Sequence, residues 1–91
     1  MHPPSHIDNA LVLEWAWSDL PFGSVPCTDG SIAAVIHGLA LCQYDGSSEI
    51  YRFSCDSRWE CQQDQVYDSV ATAKAELPQQ YHHAPIHWKT A

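Results

Sequence analysis

Hydrophobic and polar positions follow a strand rhythm along much of this chain. From Ala10 to Trp17, residues Leu11, Leu13, Trp15 and Trp17 take one face of a period-two pattern and Glu14 lies on the other. Val12 and Ala16 make the second face partly apolar. A helix capped by Asp8 is the rival, but two Trp and a Val in so short a run favour a pleated surface. A long strand is expected from about Ile32 to Tyr44. Asp45-Gly46-Ser47 then supplies turn chemistry, and Glu49 to Cys55 reads as the next strand. Asp56-Ser57-Arg58 is a second tight connection and Trp59 to Gln62 a third strand, which together make an antiparallel meander.

Hydrophobicity also suggests a register. Three-residue loops at both turns would set Leu41 opposite Tyr51, Leu39 opposite Phe53, Cys55 opposite Trp59 and Phe53 opposite Cys61. All those residues then share one face. A slip of one residue would place Leu41 opposite Arg52, so a single apolar face selects the first arrangement.

The polar run Gln62-Gln63-Asp64-Gln65 reads as the end of the meander. Asp68 or Ser69 then caps a helix of about residues 69–77, with Val70, Ala73 and Leu77 on one stripe. Pro78 ends it, because the residue before a proline avoids the α region. A short last strand, Ile86 to Lys89, points Ile86 and Trp88 inward. The competing reading is one helix from 57 to 77. It would stack Asp56, Glu60, Asp64 and Asp68 at like-charge i,i+4 spacings, each pair unfavourable by roughly 0.2–0.5 kcal/mol. The expected fold class is therefore α+β: an antiparallel meander of four to five strands packed by one main helix.

Residues 1–9 read as a flexible polar arm and residues 10–91 as a single domain. The stretch 18–31 is broken by Pro21, Gly23, Pro26, Asp29 and Gly30. A loop that long is uncommon unless it has a task or is mobile, and its Phe22, Val25 and Cys27 either fold over the core or are offered to a partner.

Charge narrows the partners. Eleven carboxylates face four Lys and Arg, for a net −7. The basic residues Arg52, Arg58, Lys74 and Lys89 are scattered, so no basic stripe meets a phosphate backbone or an anionic membrane. Neither nucleic acid nor membrane is expected as a partner. The start shows no basic n-region, and the apolar stretch near Leu11 is too short to span a bilayer. The expected compartment is the cytoplasm, where Cys27, Cys42, Cys55 and Cys61 stay reduced and no disulfide forms.

Candidate chemistry is sparse. The nearest cysteines, Cys55 and Cys61, have five residues between them and no second close pair, unlike a four-thiolate zinc site. His37 falls near Cys55, but an activated thiol would also need a cleft and an oxyanion donor. His83 and His87 are weak candidates for a metal. Pro85 forbids a helix between them, and an extended chain sets them about 13 Å apart. No cofactor is expected. Asp64 and Asp68 read as a wet turn and a cap.

The aromatic surplus points elsewhere. Trp15, Trp17, Phe22, Tyr44, Tyr67, Tyr81 and Trp88 exceed what one sheet face and a short helix can bury, and such residues anchor interfaces; Trp15, Trp17, Phe22, Tyr67 and Trp88 are the expected partner-binding residues. The expected function is a small acidic protein-interaction module of adaptor, inhibitor or immunity-like type, with a homodimer as one arrangement. Alternatives are a metal- or thiol-dependent Cys/His site and a small-ligand-binding domain. Metal analysis, thiol reactivity and capture with this domain as bait separate them.

Overall fold

The computed structural model describes residues 1–26, 29–83 and 85–91. In chain order the strands are β1 (His6–Ile7), β2 (Ala10–Trp17), β3 (Gly23–Pro26), β4 (Ile32–Ile36), β5 (Gly38–Gln43), β6 (Ile50–Cys55) and β7 (Cys61–Tyr67). Helix α1 (Val70–Ala75), a 3-10 turn (Gln79–Tyr81) and β8 (Lys89–Thr90) follow. The main sheet runs β1-β2-β5-β6-β7, with β8 also paired to β2; β3 and β4 form a separate hairpin. Every pairing is antiparallel.

The α+β expectation is corrected by this architecture. Strands make up 45% of the structure and helix 10%, and the main sheet is one curled half-barrel. The one α-helix among the described residues has six residues, with Ser69 Oγ accepting from Thr72 N at 3.0 Å. It stops at Ala75, two residues short of the expected end, and Leu77 precedes the proline in non-helical backbone. A helix of this length cannot pack a six-stranded sheet. Sheet curl and the aromatic residues complete the core instead.

The register expectation is also corrected. Leu41 pairs with Arg52, Leu39 with Ser54 and Ala40 with Phe53. This is the slip that a single apolar face should forbid. It is tolerated because both faces of the sheet are buried, and a two-sided core does not penalise a slip in this way. One face carries Val12, Trp15, Ala40, Cys42, Phe53, Cys55 and Trp59 in a single cluster. On the other, Leu39 packs with Leu77 and Tyr81, while Leu41 and Ile50 pack with Ala73.

Cys55 now stands directly opposite Cys61, not Trp59. The third strand lies at Cys61–Tyr67 rather than Trp59–Gln62. The polar run 62–65 is therefore strand, and its residues are exposed on an edge strand of the sheet. The rival helix over 57–77 is excluded by the same pairing.

Two turns fix the chain's path. Asp8 and Asn9 both have positive φ (49° and 70°) and join Ile7 to its partner Ala10. This two-residue connection suits the twist of a hairpin. The first residues are correspondingly tied down: Pro3 is buried and Val12 N donates to Ser5 O at 2.9 Å. At the β6–β7 turn, Asp56 Oδ1 accepts from the backbone N of Arg58 and Glu60, and Trp59 adopts φ 62°. A bulky residue rarely takes that conformation. Burial of its ring against Trp15 and Trp17 holds it there.

The single strand expected from Ile32 to Tyr44 is two strands in different sheets. They divide at His37, whose Nδ1 bonds with Ser18 O at 2.9 Å and whose backbone N donates to Cys55 O at 2.9 Å. Part of the expected loop 18–31 is thereby strand β3. The last strand is shorter than expected, with only Lys89 and Thr90 paired.

Candidate protein-interaction surface

β3 and β4 face one another with Gly23 opposite Ile36, Ser24 opposite Val35 and Val25 opposite Ala34. An isolated two-stranded hairpin is marginal in water, so its attachment matters. Phe22 and Ile36 are buried at its base, joined by Phe22 N donating to Ile36 O at 2.8 Å. Gln80 clamps the first strand, since its Oε1 accepts from Ser24 N and its Nε2 donates to Ser24 O, both at 3.1 Å. His83 Nε2 bonds with Phe22 O at 3.0 Å. Gly23 is required at this contact, as a Cβ there would lie 2.9 Å from Tyr81 Cε1.

Beyond the clamp the hairpin is apolar and open. Ile32 is 66% exposed, Val35 38%, and Leu20 on the approach to β3 is 77%. Ala33 is exposed between the two strand residues. Near its far end, Asp29 Oδ1 accepts from Ser31 N at 2.9 Å and from Ser31 Oγ at 2.6 Å. Those bonds, the hydroxyl first, hold the Asp29 carboxyl below its ordinary pKa. Asp19 sits beside Leu20 and accepts from Trp17 Nε1 at 3.0 Å.

The segment of sequence that contains this hairpin carries charge of one sign, apart from histidine. Residues 1–51 contain Asp8, Glu14, Asp19, Asp29, Asp45 and Glu49 and neither Lys nor Arg. Of the later cations, Arg52 is 3% exposed and Arg58 is exposed in the β6–β7 turn. Lys74 pairs with Glu14 at 2.6 Å and lies 5.6 Å from the Trp88 ring centroid. Lys89 stands 5.2 Å from that of Trp15.

The aromatic residues expected to meet a partner do not form one surface. Trp15 is a core residue, edge-on to Trp59 with ring centroids 6.1 Å apart. Phe22 is buried against Tyr81 at 6.2 Å. Trp17 is half-buried and stacks on His37 at 5.7 Å. Tyr67 is half-buried at the end of β7, where its hydroxyl donates to Glu76 O at 3.4 Å. Trp88 is half-buried beside Lys74. The surplus was reckoned against one sheet face, and two are buried. The exposed aliphatic residues were not singled out: Leu20 lay in the expected loop 18–31, and Ile32 and Val35 in the single strand expected from Ile32 to Tyr44. The unalternating run Ile32-Ala33-Ala34-Val35-Ile36 is the signal that could have found them.

The thiols and imidazoles are engaged otherwise. Burial pushes the Cys42 thiol up to about 12 and Cys61 to about 11, and raises Cys55 further. These groups are neutral core fillers, free of disulfides, whereas a nucleophile or metal ligand must be a thiolate. Cys27 lies outside the described residues. Of the metal candidates, His83 is bonded to the Phe22 carbonyl and His87 is exposed on non-helical backbone. Among the described residues no group of three or more His, Cys, Asp or Glu could hold a metal ion, and no helix is long and apolar enough to cross a membrane.

Comparison with protein-family models, with curated proteins and with solved structures gives no match for this chain.

Proposed function

We propose that this chain is a small acidic interaction module that presents the β3–β4 hairpin to a basic protein partner. The observation carrying the reading is the exposure of Ile32 and Val35 on a hairpin whose base is clamped by Gln80 and Phe22, and of Leu20 on the approach to it. Apolar side chains of that kind supply contact area, and the clamp reduces the ordering cost of binding. The carboxylates Asp19 and Asp29 near them, with no Lys or Arg before Arg52, favour a partner of opposite charge. Such complementarity speeds encounter and selects partners more than it adds affinity. The raised thiol pKa values weigh against the thiol-dependent alternative.

Capture from the source cell with three baits tests the proposal: the native chain, Ile32→Asp and Val35→Asp. The expected result is a basic protein held by the native bait, released by raised salt and lost from both variants, which keep the native Tm. An acidic protein, or equal retention by all three baits, contradicts it.

A further inference from the structure

Strand β7 leaves backbone bonding capacity at the surface. It ends the sheet order, Gln62 to Val66 are exposed, and among the described residues no strand pairs with its outer side. Register identifies the free groups. Cys55 O accepts from His37 N, so this carbonyl is directed to the β5 side of β6. Phe53 and Tyr51 do the same, because backbone groups alternate along an antiparallel strand. Their partners Asp64 and Val66 therefore hold non-hydrogen-bonded positions of the β6–β7 ladder and turn N–H and C=O outward. The register shift at Gln62 comes before both. A free row of such groups templates another strand, and natural edges are commonly blunted by Lys or Pro. The segment Cys61–Tyr67 has neither, and its single charge is Asp64.

Charge selects the occupant. Asp56 and Glu60 precede the strand, with Arg58 exposed between them. Past its far end, Glu49, Asp68 and Glu76 line a shallow groove with Tyr67 and Thr72. Burial first, then Asp8 and Asp64, push the Cys61 thiol up, so the carboxylate of the β1–β2 turn also lies near this strand. Arg52, opposite Gln65, is 3% exposed and offers no countercharge at the surface. The edge is acidic at both ends and in its middle. Beside Asp64 on the same face stands Val66, 40% exposed, since residues two apart in a strand share a face.

We infer that the outer edge of β7 takes up an extended, basic segment of a partner protein as an added strand. That segment sets a lysine or arginine beside Asp64 and an aliphatic residue, two positions away, beside Val66. Main-chain bonds to Asp64 and Val66 supply the affinity, and the alternate side chains supply the selection. The carboxylates at both ends attract a basic segment and reject an acidic one. This edge is separate from the β3–β4 hairpin, so the two surfaces stand or fall independently.

The probe is a capped peptide in which threonine alternates with lysine, valine and lysine in turn. One relative carries glutamate in place of lysine. Another is N-methylated on the lysine and valine nitrogens, which removes the N–H groups that would face β7. Titration of the chain followed by amide chemical shifts and hydrogen exchange reads the binding. The lysine peptide should shift β7 and slow exchange at Asp64 and Val66, with Gln65 unchanged. Asp64→Lys should weaken it about fivefold, whereas Ile32→Asp should bind as the native chain does. No binding at millimolar peptide overturns the proposal, as do equal binding of the glutamate or N-methylated peptide and shifts confined to other strands. Exchange at Asp64 and Val66 that slows with protein concentration alone assigns the edge to a second copy and overturns it too.

Discussion

Gly38 and Trp59 are fitted to one another across the start of the sheet: a Cβ on Gly38 would stand 2.6 Å from Trp59 Cζ3. The indole reaches that position because Trp59 accepts a positive φ in the β6–β7 turn. Gly38→Ala should therefore cost about 1–3 kcal/mol through overpacking. In a Trp59→Ala background, where the ring is absent, the same change should cost within about 0.5 kcal/mol of nothing. Urea denaturation of the four proteins gives the coupling, and additive losses would show that the two residues do not meet.

Arg52 supplies a test of the slipped register. That pairing buries its guanidinium beneath Tyr81, 5.8 Å from the ring centroid, with Nε and Nη1 lacking hydrogen-bond partners among the described residues. An unpaired buried cation opposes folding, and replacing buried charge by a well-packed apolar residue is often neutral or stabilising. Arg52→Met is expected to leave the unfolding free energy unchanged or raise it. A loss above about 2 kcal/mol would place Arg52 in a bonded network and count against this burial.

The neighbouring polar contact should behave in the opposite sense. Tyr81 Oη donates to Ser54 Oγ at 2.9 Å in a fully buried setting. Tyr81→Phe strands the serine hydroxyl and should cost about 1–2 kcal/mol, measurable as a lower urea midpoint at unchanged m.

Alkaline pH should destabilise the protein through its thiols. Burial raises Cys42 and Cys61 to about 12 and about 11 in the folded state, from 9.0 without it. Below pH 9 both states hold these protons and the full stability is present. Above it the unfolded chain releases them first, so stability falls as pH rises from about 9 towards 12. Thermal unfolding from pH 7 to 10.5 should show Tm flat at first and then declining. Cys42→Ala should shrink the alkaline decline, and iodoacetamide should label half-buried Cys61 before Cys42 or Cys55.

Strand content was readable from the sequence, and its partition between sheets was not. The turn residues Asp45-Gly46 and Asp56-Ser57-Arg58 marked the two connections of the β5–β6–β7 meander because their chemistry is local. Ser69 was visible as a helix cap for the same reason. The polar strand β7 was hidden because an edge exposed on both faces shows no alternation. Arg52 misled the register, since a lone cation in a strand reads as a solvent marker although it is 3% exposed here. The Asp8-Asn9 turn was legible in principle, as both residue types tolerate positive φ, yet two prolines and a histidine just before it read as an arm. For the candidate surface, the stretch 18–31 read as one long loop, whereas Gly23–Pro26 is strand β3. That the hairpin's far strand, Ile32–Ile36, leaves the main sheet at His37 depends on long-range pairing that no local pattern encodes.

The clamp on the hairpin predicts a local effect without a global one. Gln80→Ala removes both hydrogen bonds to Ser24, at an exposed site outside the main core. Amides of β3 and β4 should exchange faster while those of β5 and β6 keep their rates and Tm moves little. Uniform acceleration across the sheet would show the hairpin to be part of one cooperative unit.

Site-specific photocrosslinking in the source cell tests the central claim most directly. A photoreactive residue at Ile32 samples the hairpin, and one at exposed Ala71 on α1 serves as the reference. The hairpin reading predicts a discrete adduct with a basic protein from position 32, reduced by raised salt, and none with that protein from position 71. Adducts of the same protein and yield from both positions, or from position 71 alone, would contradict it.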